Sequence, residues 1–409
     1  MVVEKKTTTD FEREVRQTVG EITAEDVFPV QLRVLQIVAM WPAFNGSPQK
    51  QMLTKVILNF NSFVLAFCTV GLLLKGIITR DLVDRSEAMD IFTLTGSALY
   101  KMVFFYIYHN EMADMMNCGA ALIHQVPPKW MQYVTFFTVL HCFMGFICIT
   151  FWALCPILKL IFGETELNEM TLPINLYDPM EAKGAMFALF YFICHYGLIS
   201  SAHIYMAADC YLFTAIHLAN GGFQTLNGKL EDMKQAIAHK GDTSHDSANE
   251  YIKDCIKLHV HILTFIRKTD ALFRSLFVAD VVHAIISLSF AMLQASESKG
   301  IFENLKMTVF VSYCFVHQYL NSYFGQHLID QQDTLFEKLL LSVPWNDCSR
   351  NLRKSYHIMT TGCLKSVRLS AWSVYTLQFA TFLEFVKTMI SYFMVLRQVQ
   401  DETEVQIEI

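Results

Sequence analysis

The sequence predicts an all-α, polytopic membrane protein with seven transmembrane helices, and three observations carry that expectation. Of 409 residues, 53% are hydrophobic and only 17% charged, whereas a soluble domain usually carries about 25% charged residues. Apolar runs recur from residue 52 to 396 at the length that matters: a hydrocarbon core of about 30 Å is crossed by roughly 20 helical residues. The N-terminal stretch MVVEKKTTTDFEREVRQ is too charged for a cleaved signal peptide, so insertion relies on an internal helix. The net charge of −6 gives no electrostatic case for nucleic acid. No nucleophile–base or metal-ligand spacing stands out, so no catalytic residue, metal or cofactor is expected.

Taken in order, residues 1–50 form a cytosolic N-terminal segment. Within it, Val27 to Trp41 is apolar but too short to cross and is ended by Pro42 and Gly46, which reads as a re-entrant or interfacial helix. Residues 51–325 hold six crossing helices, at about 52–74, 87–108, 131–155, 184–208, 272–295 and 305–325, and the seventh follows at 371–396. Between the fourth and fifth, residues 213–270 form a cytosolic helical extension jointed at Gly241–Ser247. Its Tyr251, Cys255, Leu258, Ile262, Phe265 and Ile266 have the spacing of one helix face. Residues 326–370, with Pro344 and Trp345, make a second cytosolic segment. Most of the eleven cysteines lie in apolar runs or cytosolic segments, so no structural disulfide is expected. The His259-x-His261 doublet points to two sides of a helix rather than to one metal.

Charge sets the orientation. Segments 1–50, 109–130, 213–270 and 325–370 carry 20 Lys and Arg, against 6 in segments 76–86, 156–183, 296–304 and 397–409. The basic side is cytosolic, which places the N-terminus inside. A G-protein-coupled receptor has the opposite orientation, and neither an Asp-Arg-Tyr after the third helix nor an NPxxY in the seventh is present. The sequon Asn45-Gly46-Ser47 then lies in the cytosol and stays unglycosylated.

The last run, Tyr375 to Val399, is interrupted by Gln378, Thr381, Glu384, Lys387, Thr388 and Ser391. An ionised side chain at mid-bilayer costs on the order of 3 kcal/mol, so these groups face protein or water. Two readings stand side by side: Glu384 pairs with Lys387 at i,i+3 inside a bundle, or both border a watered path.

Here the residues carry a resemblance. The ending Ser391-Tyr392-Phe393-Met394-Val395-Leu396-Arg397-Gln398-Val399 resembles the terminal helix of insect odorant receptors, above all that of their shared co-receptor. Tyr323-Phe324-Gly325-Gln326-His327-Leu328-Ile329 followed by Trp345 is similar to that family's sixth-helix exit, with Gln332 where a Ser is usual and a Leu for the usual Tyr before the Trp. Gustatory receptors share the fold, but their usual ending fits Ser391–Val399 less well. The resemblance implies a subunit of a tetrameric, odorant-gated, non-selective cation channel working with the odorant co-receptor. It implies a multi-pass plasma-membrane protein in dendrites of olfactory sensory neurons, binding a small volatile organic ligand. It further implies an anchor built from the cytosolic extensions, a pore along residues 371–399, and an extracellular tail at 400–409. Aligned on YFMVL, Val395 and Val399 take the place of the family's hydrophobic gate and Gln398 that of its polar constriction. Arg397 departs from the co-receptor's apolar residue. The chain is shorter than the co-receptor and ends in DETEVQIEI, which fits a ligand-tuning subunit.

A volatile ligand needs a dry, mostly aromatic cavity with few polar groups, which the resemblance implies in the outer halves of helices two, three, four and six. Those halves offer Phe92 and Thr95; Gly145, Cys148, Ile149 and Trp152; Met186, Phe190 and Ile193; and Phe310 and Tyr313, with Cys314 and His317 on the same face. Gly145, Cys148, Ile149 and Trp152 are spaced i, i+3, i+4, i+7 and share one face. Small Gly145 beside bulky Trp152 would leave a hollow with an aromatic wall. His195 and His203 read as hydrogen bonders between helices.

Overall fold

The computed structural model describes residues 35–36, 40, 47–123, 125–164, 172–174, 176–178, 183–240, 245–297, 300–342, 349–365, 367–372 and 375–408, without the side chains of 128, 131, 234–248 and 403–408. The expected helix at 27–41, apart from residues 35, 36 and 40, the Gly241–Ser247 joint up to residue 244, Pro344 and Trp345 lie outside the described residues.

Nine helices appear among the described residues: α1 (Pro48–Ile78), α2 (Leu82–Ile107), α3 (His109–Ile123), α4 (Pro128–Ile161), α5 (Ala185–Lys240), α6 (His245–Glu297), α7 (Ile301–Ser342), α8 (Arg350–Cys363) and α9 (Phe379–Glu408). Two short strands, β1 (Ser370–Ala371) and β2 (Tyr375–Thr376), pair antiparallel before α9. The helix starts follow local chemistry. Ser47 caps α1 through the Lys50 amide, with Pro48 in its first turn, and Asp81 caps α2 through the Asp84 amide at 2.8 Å.

Five helices (α1, α4, α5, α6 and α9) are each long and apolar enough to cross a membrane, and α2 with α3, bent by 74°, makes a sixth. α7 runs through the same bundle but is more polar. Its Lys306 is buried, tied to Glu303 at 2.6 Å and Glu87 at 3.4 Å, so that charge does not meet lipid. The outward faces of α1 and α4 are apolar instead, with Phe60, Phe63, Phe136, Phe143 and Phe146 exposed, as a lipid-facing surface requires.

α5 and α6 are 56 and 53 residues long, about 80 Å each at 1.5 Å per residue, far more than a bilayer needs. Their surplus meets the end of α7, α8, α3 and the hairpin in one large apolar core at a single end of the bundle. Cys255, Leu258, Ile262, Phe265 and Ile266 are all buried there, against Phe223, Leu226 and Leu230 of α5, while Tyr251 is half-buried at the edge and its neighbour Ile252 is buried instead. The stripe legible in the sequence, Tyr251 apart, is the seam of this anchor.

Three features differ from the sequence expectation. Segment 109–130, expected only as a stretch between two crossing helices, is mostly filled by α3, its Met112, Met115 and Met116 buried on one stripe; at 15 residues it is too short to register as a crossing helix. The last helix begins at Phe379 rather than 371, because the β-prone stretch around Tyr375 folds into the hairpin, pinned by Asp270 Oδ1 accepting from the Ser370 amide at 2.7 Å. The helix also runs on to Glu408 rather than giving way to a tail at 400.

Gly325 and Gln326 explain how that hairpin is seated. A Cβ at Gly325 would overlap the backbone and side chain of Leu377, so only glycine lets the strand lie against α7. Gln326 accepts from the Phe379 amide at 3.5 Å, at the first turn of α9. Gln332 does more than a Ser could: its amide donates to the carbonyls of Cys363 and Lys365 and accepts from the Val367 amide at 2.7 Å.

Candidate functional site: a polar-floored cavity and an unpaired helix face

At the end of the bundle opposite the anchor, α2, α4, α5, α6 and α7 enclose a cavity of about 70 Å³. The α4 face Gly145, Cys148, Ile149 and Trp152 lines it, and so do Phe310, Tyr313, Cys314 and His317 of α7. Trp152 and Phe310 meet edge to face at 5.1 Å, which forms the aromatic wall. The hollow beside Gly145 is taken by the Met206 side chain, with the Tyr313 hydroxyl nearby.

The other expected residues do not line the cavity. On α2, Asp90, Ile91 and Leu94 face inward, while Thr95 faces α1 and accepts from Thr69 at 3.0 Å. Phe92 borders the neighbouring apolar cluster. The mixed composition of α2 gives no clear apolar stripe from which to choose the face. On α5 the cavity takes Leu198, Ala202, Tyr205 and Met206, just over three turns deeper than Met186, Phe190 and Ile193. Phe190 packs on Phe67 of α1 at 6.2 Å, and Met186 is exposed. Of the two histidines expected to bridge helices, His203 bonds the Ile199 carbonyl of its own helix at 2.7 Å and His195 stacks on Tyr191 of its own helix.

The floor is charged. Lys101 of α2 lies fully buried, 3.0 Å from Asp209 of α5 and 2.9 Å from Asp280 of α6, with its ammonium 3.3 Å over the Tyr205 ring. Tyr205 donates to Asp280 at 2.6 Å. The second oxygen of Asp209 is met by the Nε2 atoms of His317 at 3.0 Å and His141 at 3.6 Å. Those three ligand atoms lie within 4.8 Å of one another, close enough to consider a metal. With Lys101 already on Asp209, the arrangement is an ion pair buttressed by two imidazoles. These residues come from five helices and from positions over 200 apart, so no spacing rule could have found them. Asp90, beside this floor, accepts from Ser287 of α6.

The second element is α9. Phe382, Phe385 and Met389 are buried against Ala284 and Leu288 of α6. The opposite side carries Glu384, Thr388, Ser391, Val395, Gln398 and Glu402, all exposed and spaced 4-3-4-3-4 along one stripe. Lys387 and Val399 flank it, also exposed, and no ion pair joins Glu384 to Lys387 among the described residues. Gln398 donates instead to Glu402 at 3.0 Å. A polar stripe of this length facing away from its own protomer is costly against hydrocarbon.

The "7tm Odorant receptor" family matches residues 81–390. Odorant receptor 13a of Drosophila melanogaster is 20% identical over 276 residues, 64% of this chain and 65% of that protein. The odorant receptor coreceptor of Ooceraea biroi is 24% identical over 150 residues, 36% of this chain and 31% of that protein. The matches thus span just under two thirds of the fly receptor and under a third of the co-receptor. Among solved structures, the insect olfactory receptor OR5 from Machilis hrabei in complex with eugenol superposes with a TM-score of 0.73 at 14% identity, covering 92% of this chain and 99% of that one. A second structure of OR5 gives 0.71. At that identity the likeness is one of fold, and the fold is the all-α, seven-helix one described above.

Proposed function

The chain belongs to the 7tm odorant receptor family, and from that premise we propose that it is the ligand-tuning subunit of an odorant-gated, non-selective cation channel. It assembles with the odorant co-receptor as a heterotetramer in the plasma membrane of olfactory sensory dendrites, with the anchor end in the cytosol. The observation that carries the reading is the exposed polar stripe of α9. One protomer leaves it uncovered, and a ring of such helices around water gives it an environment. In that ring Val395 and Val399 close the path by dewetting, and Gln398 offers an amide oxygen to a passing cation.

The cavity is the ligand site of this reading, with Gly145, Cys148, Ile149, Trp152, Phe310 and Tyr313 in contact with the odorant. The eugenol complex of a chain with this fold supports a small organic ligand. Coupling runs through α6 and α7. Ala284 and Cys314 border the cavity and also the cluster formed with Phe385 and Met389 of α9. Ser289, further along α6, donates to the Met389 carbonyl at 3.2 Å. A ligand that fits one arrangement of these walls better than the other shifts the closed–open equilibrium by that difference in affinity.

The test is current recording from cells expressing the chain with and without co-receptor, across an odorant panel. Odorant-evoked cation current that needs both subunits is expected. Responses that vanish with G-protein blockade, or that appear with an extracellular N-terminal epitope, overturn the channel reading.

A further inference from the structure

Asp90 stands apart from the other acids of the cavity. It is 2% exposed and lines the space, accepts from Ser287 on Oδ1, and has no hydrogen-bond partner on Oδ2 among the described residues. Leaving a buried carboxylate oxygen unpaired is costly, and the cost is removed by whatever donates to it.

The surrounding groups do not supply that donor. Lys101 is shared by Asp209 and Asp280. Lys306 is held by Glu87 and Glu303, and Lys159 also sits on Glu303 at 2.5 Å. His141 and His317 turn to Asp209, and His283 Nδ1 lies 3.1 Å from Thr93 Oγ1. With Asp90, these clusters hold five carboxylates against three ammonium groups. The ammonium groups around the cavity are thus all taken, and among the described residues that line it Asp90 Oδ2 is the acceptor left unmet.

We infer that the cavity takes a small protonated alkylamine, its ammonium on Asp90 Oδ2 and its chain along Leu94, Cys148 and Phe310. This rests on the reading of the cavity as the ligand site. An ammonium donates a charge-assisted hydrogen bond to Asp90, where an alcohol donates a weaker, neutral one. Trp152 and Tyr313 line the same space, and the Trp152 ring already takes a cation, the Lys306 ammonium at 4.8 Å from its centroid. Size limits the chain: about 70 Å³ is roughly half of the ~150 Å³ that takes benzene. A short alkyl chain enters the resting cavity, and a longer one requires the flexible Met206 side chain to move.

The experiment compares n-butylamine with n-butanol, two probes of equal heavy-atom count, on the full chain co-expressed with co-receptor, with current and surface level both measured. In the wild type, butylamine is expected to reach half-maximal response at a concentration at least tenfold below butanol. Asp90→Asn should raise the butylamine value tenfold or more and move the butanol value less than twofold, and Asp90→Glu should restore part of the preference. Equal potency of the two probes in the wild type overturns the inference, as does butylamine that neither activates nor competes with an activating odorant. The wild-type comparison decides alone if Asp90→Asn fails to reach the surface. Trp152→Ala separates the two levels. If it reorders odorants while the amine preference is absent, the cavity is the ligand site and only the amine assignment falls. If it leaves every odorant's rank unchanged, the site reading itself fails.

Discussion

The two ends of α5 and α6 are built on opposite terms. At the anchor end, Phe223, Leu226 and Leu230 meet Ile252, Cys255 and Ile262 with no side-chain surface left over, and polar groups there close onto backbone: Gln332 on three peptide groups, His261 on the Cys118 carbonyl at 2.8 Å. At the outer end the same two helices carry Asp209, Tyr205, Asp280 and His283 around unfilled space. Close packing resists deformation, while a charged floor beside a void can be rearranged by a small ligand. In the function proposed above, the contrast separates the part that would hold subunits together from the part that would respond.

The largest effect expected at the outer end is from Lys101→Met. Removing the ammonium leaves Asp209 and Asp280 buried without their shared cation, which costs about 3–5 kcal/mol. Surface biotinylation should show the variant retained inside the cell, and adding Asp209→Asn should recover part of the loss. Normal surface level for Lys101→Met alone would mean that the floor is as tolerant as ordinary core.

The anchor should respond to acid. His259 and His261 lie in the extension beyond the membrane-crossing part of α6, and burial holds both down to about 4, with Arg267 adding to the effect at His259 and the bond to the Cys118 carbonyl opposing it at His261. The unfolded chain takes these protons near pH 6.5, so stability is constant above that value and falls as pH drops towards 4. At pH 5 each contributes a loss of about 2 kcal/mol. Thermal unfolding in detergent at pH 7.5 and pH 5 should show the drop, and replacing both residues with Gln should flatten it. An unchanged slope in the double variant would place acid sensitivity elsewhere.

Gly325→Ala comes next, at about 2 kcal/mol, within the range for overpacking. The added methyl meets Leu377 backbone rather than a movable side chain, so the hairpin must shift and α9 loses its seat. Reduced subunit co-purification, with the isolated protomer still folded, is the expected readout.

The anchor was readable in the sequence because periodicity is local: Cys255, Leu258 and Ile262 announce their face without reference to any other helix. The α4 wall was readable for the same reason, since Gly145, Cys148, Ile149 and Trp152 share a face whatever surrounds them. The floor was not. Lys101, Asp209 and Asp280 are 108 and 71 residues apart in turn, and each alone looks like a helix-end charge. On α2 the choice of Phe92 and Thr95 over Ile91 and Leu94 missed by one residue, a turn of about 100°. On α5, sequence gave the helix but not the depth at which the cavity opens. The hairpin escaped because β-prone residues next to a long apolar run look like its first turn.

Trp152→Ala should change ligand ranking; losing a large buried side chain also costs about 3–5 kcal/mol of stability, so ranking is compared at matched surface level. It widens the aromatic wall against Phe310 and removes an indole N–H with no partner among the described residues. About a tenfold change in relative potency between a compact and a bulky odorant is expected, since a methylene or two in an apolar pocket is worth ~1–3 kcal/mol. Uniform loss across odorants at normal surface level would make Trp152 part of the scaffold.

The smallest effect is expected at the exposed stripe of α9, because co-receptor subunits share the pore. Val395 is 58% exposed in the protomer, one turn from Gln398. If it contributes to an apolar ring, Val395→Ser wets that ring and raises the resting leak, since a polar constriction admits hydrated cations more readily. Gln398→Lys should act the other way and lower cation flow by placing positive charge at the narrowest point. Asp401 and Glu402, exposed just beyond, concentrate cations at the mouth. Neutralising both should lower conductance more at low salt than at high, because a field at an exposed mouth is screened within about 10 Å at 0.1 M. With surface levels matched, a change of leak or conductance confined to this stripe, and absent on mutating Phe385 or Met389 to Leu, would place the water path on the face opposite α6. Wild-type leak, selectivity and salt dependence in all three variants would instead turn the stripe towards protein, and the exposed Glu384 and Lys387 would then belong to a subunit contact.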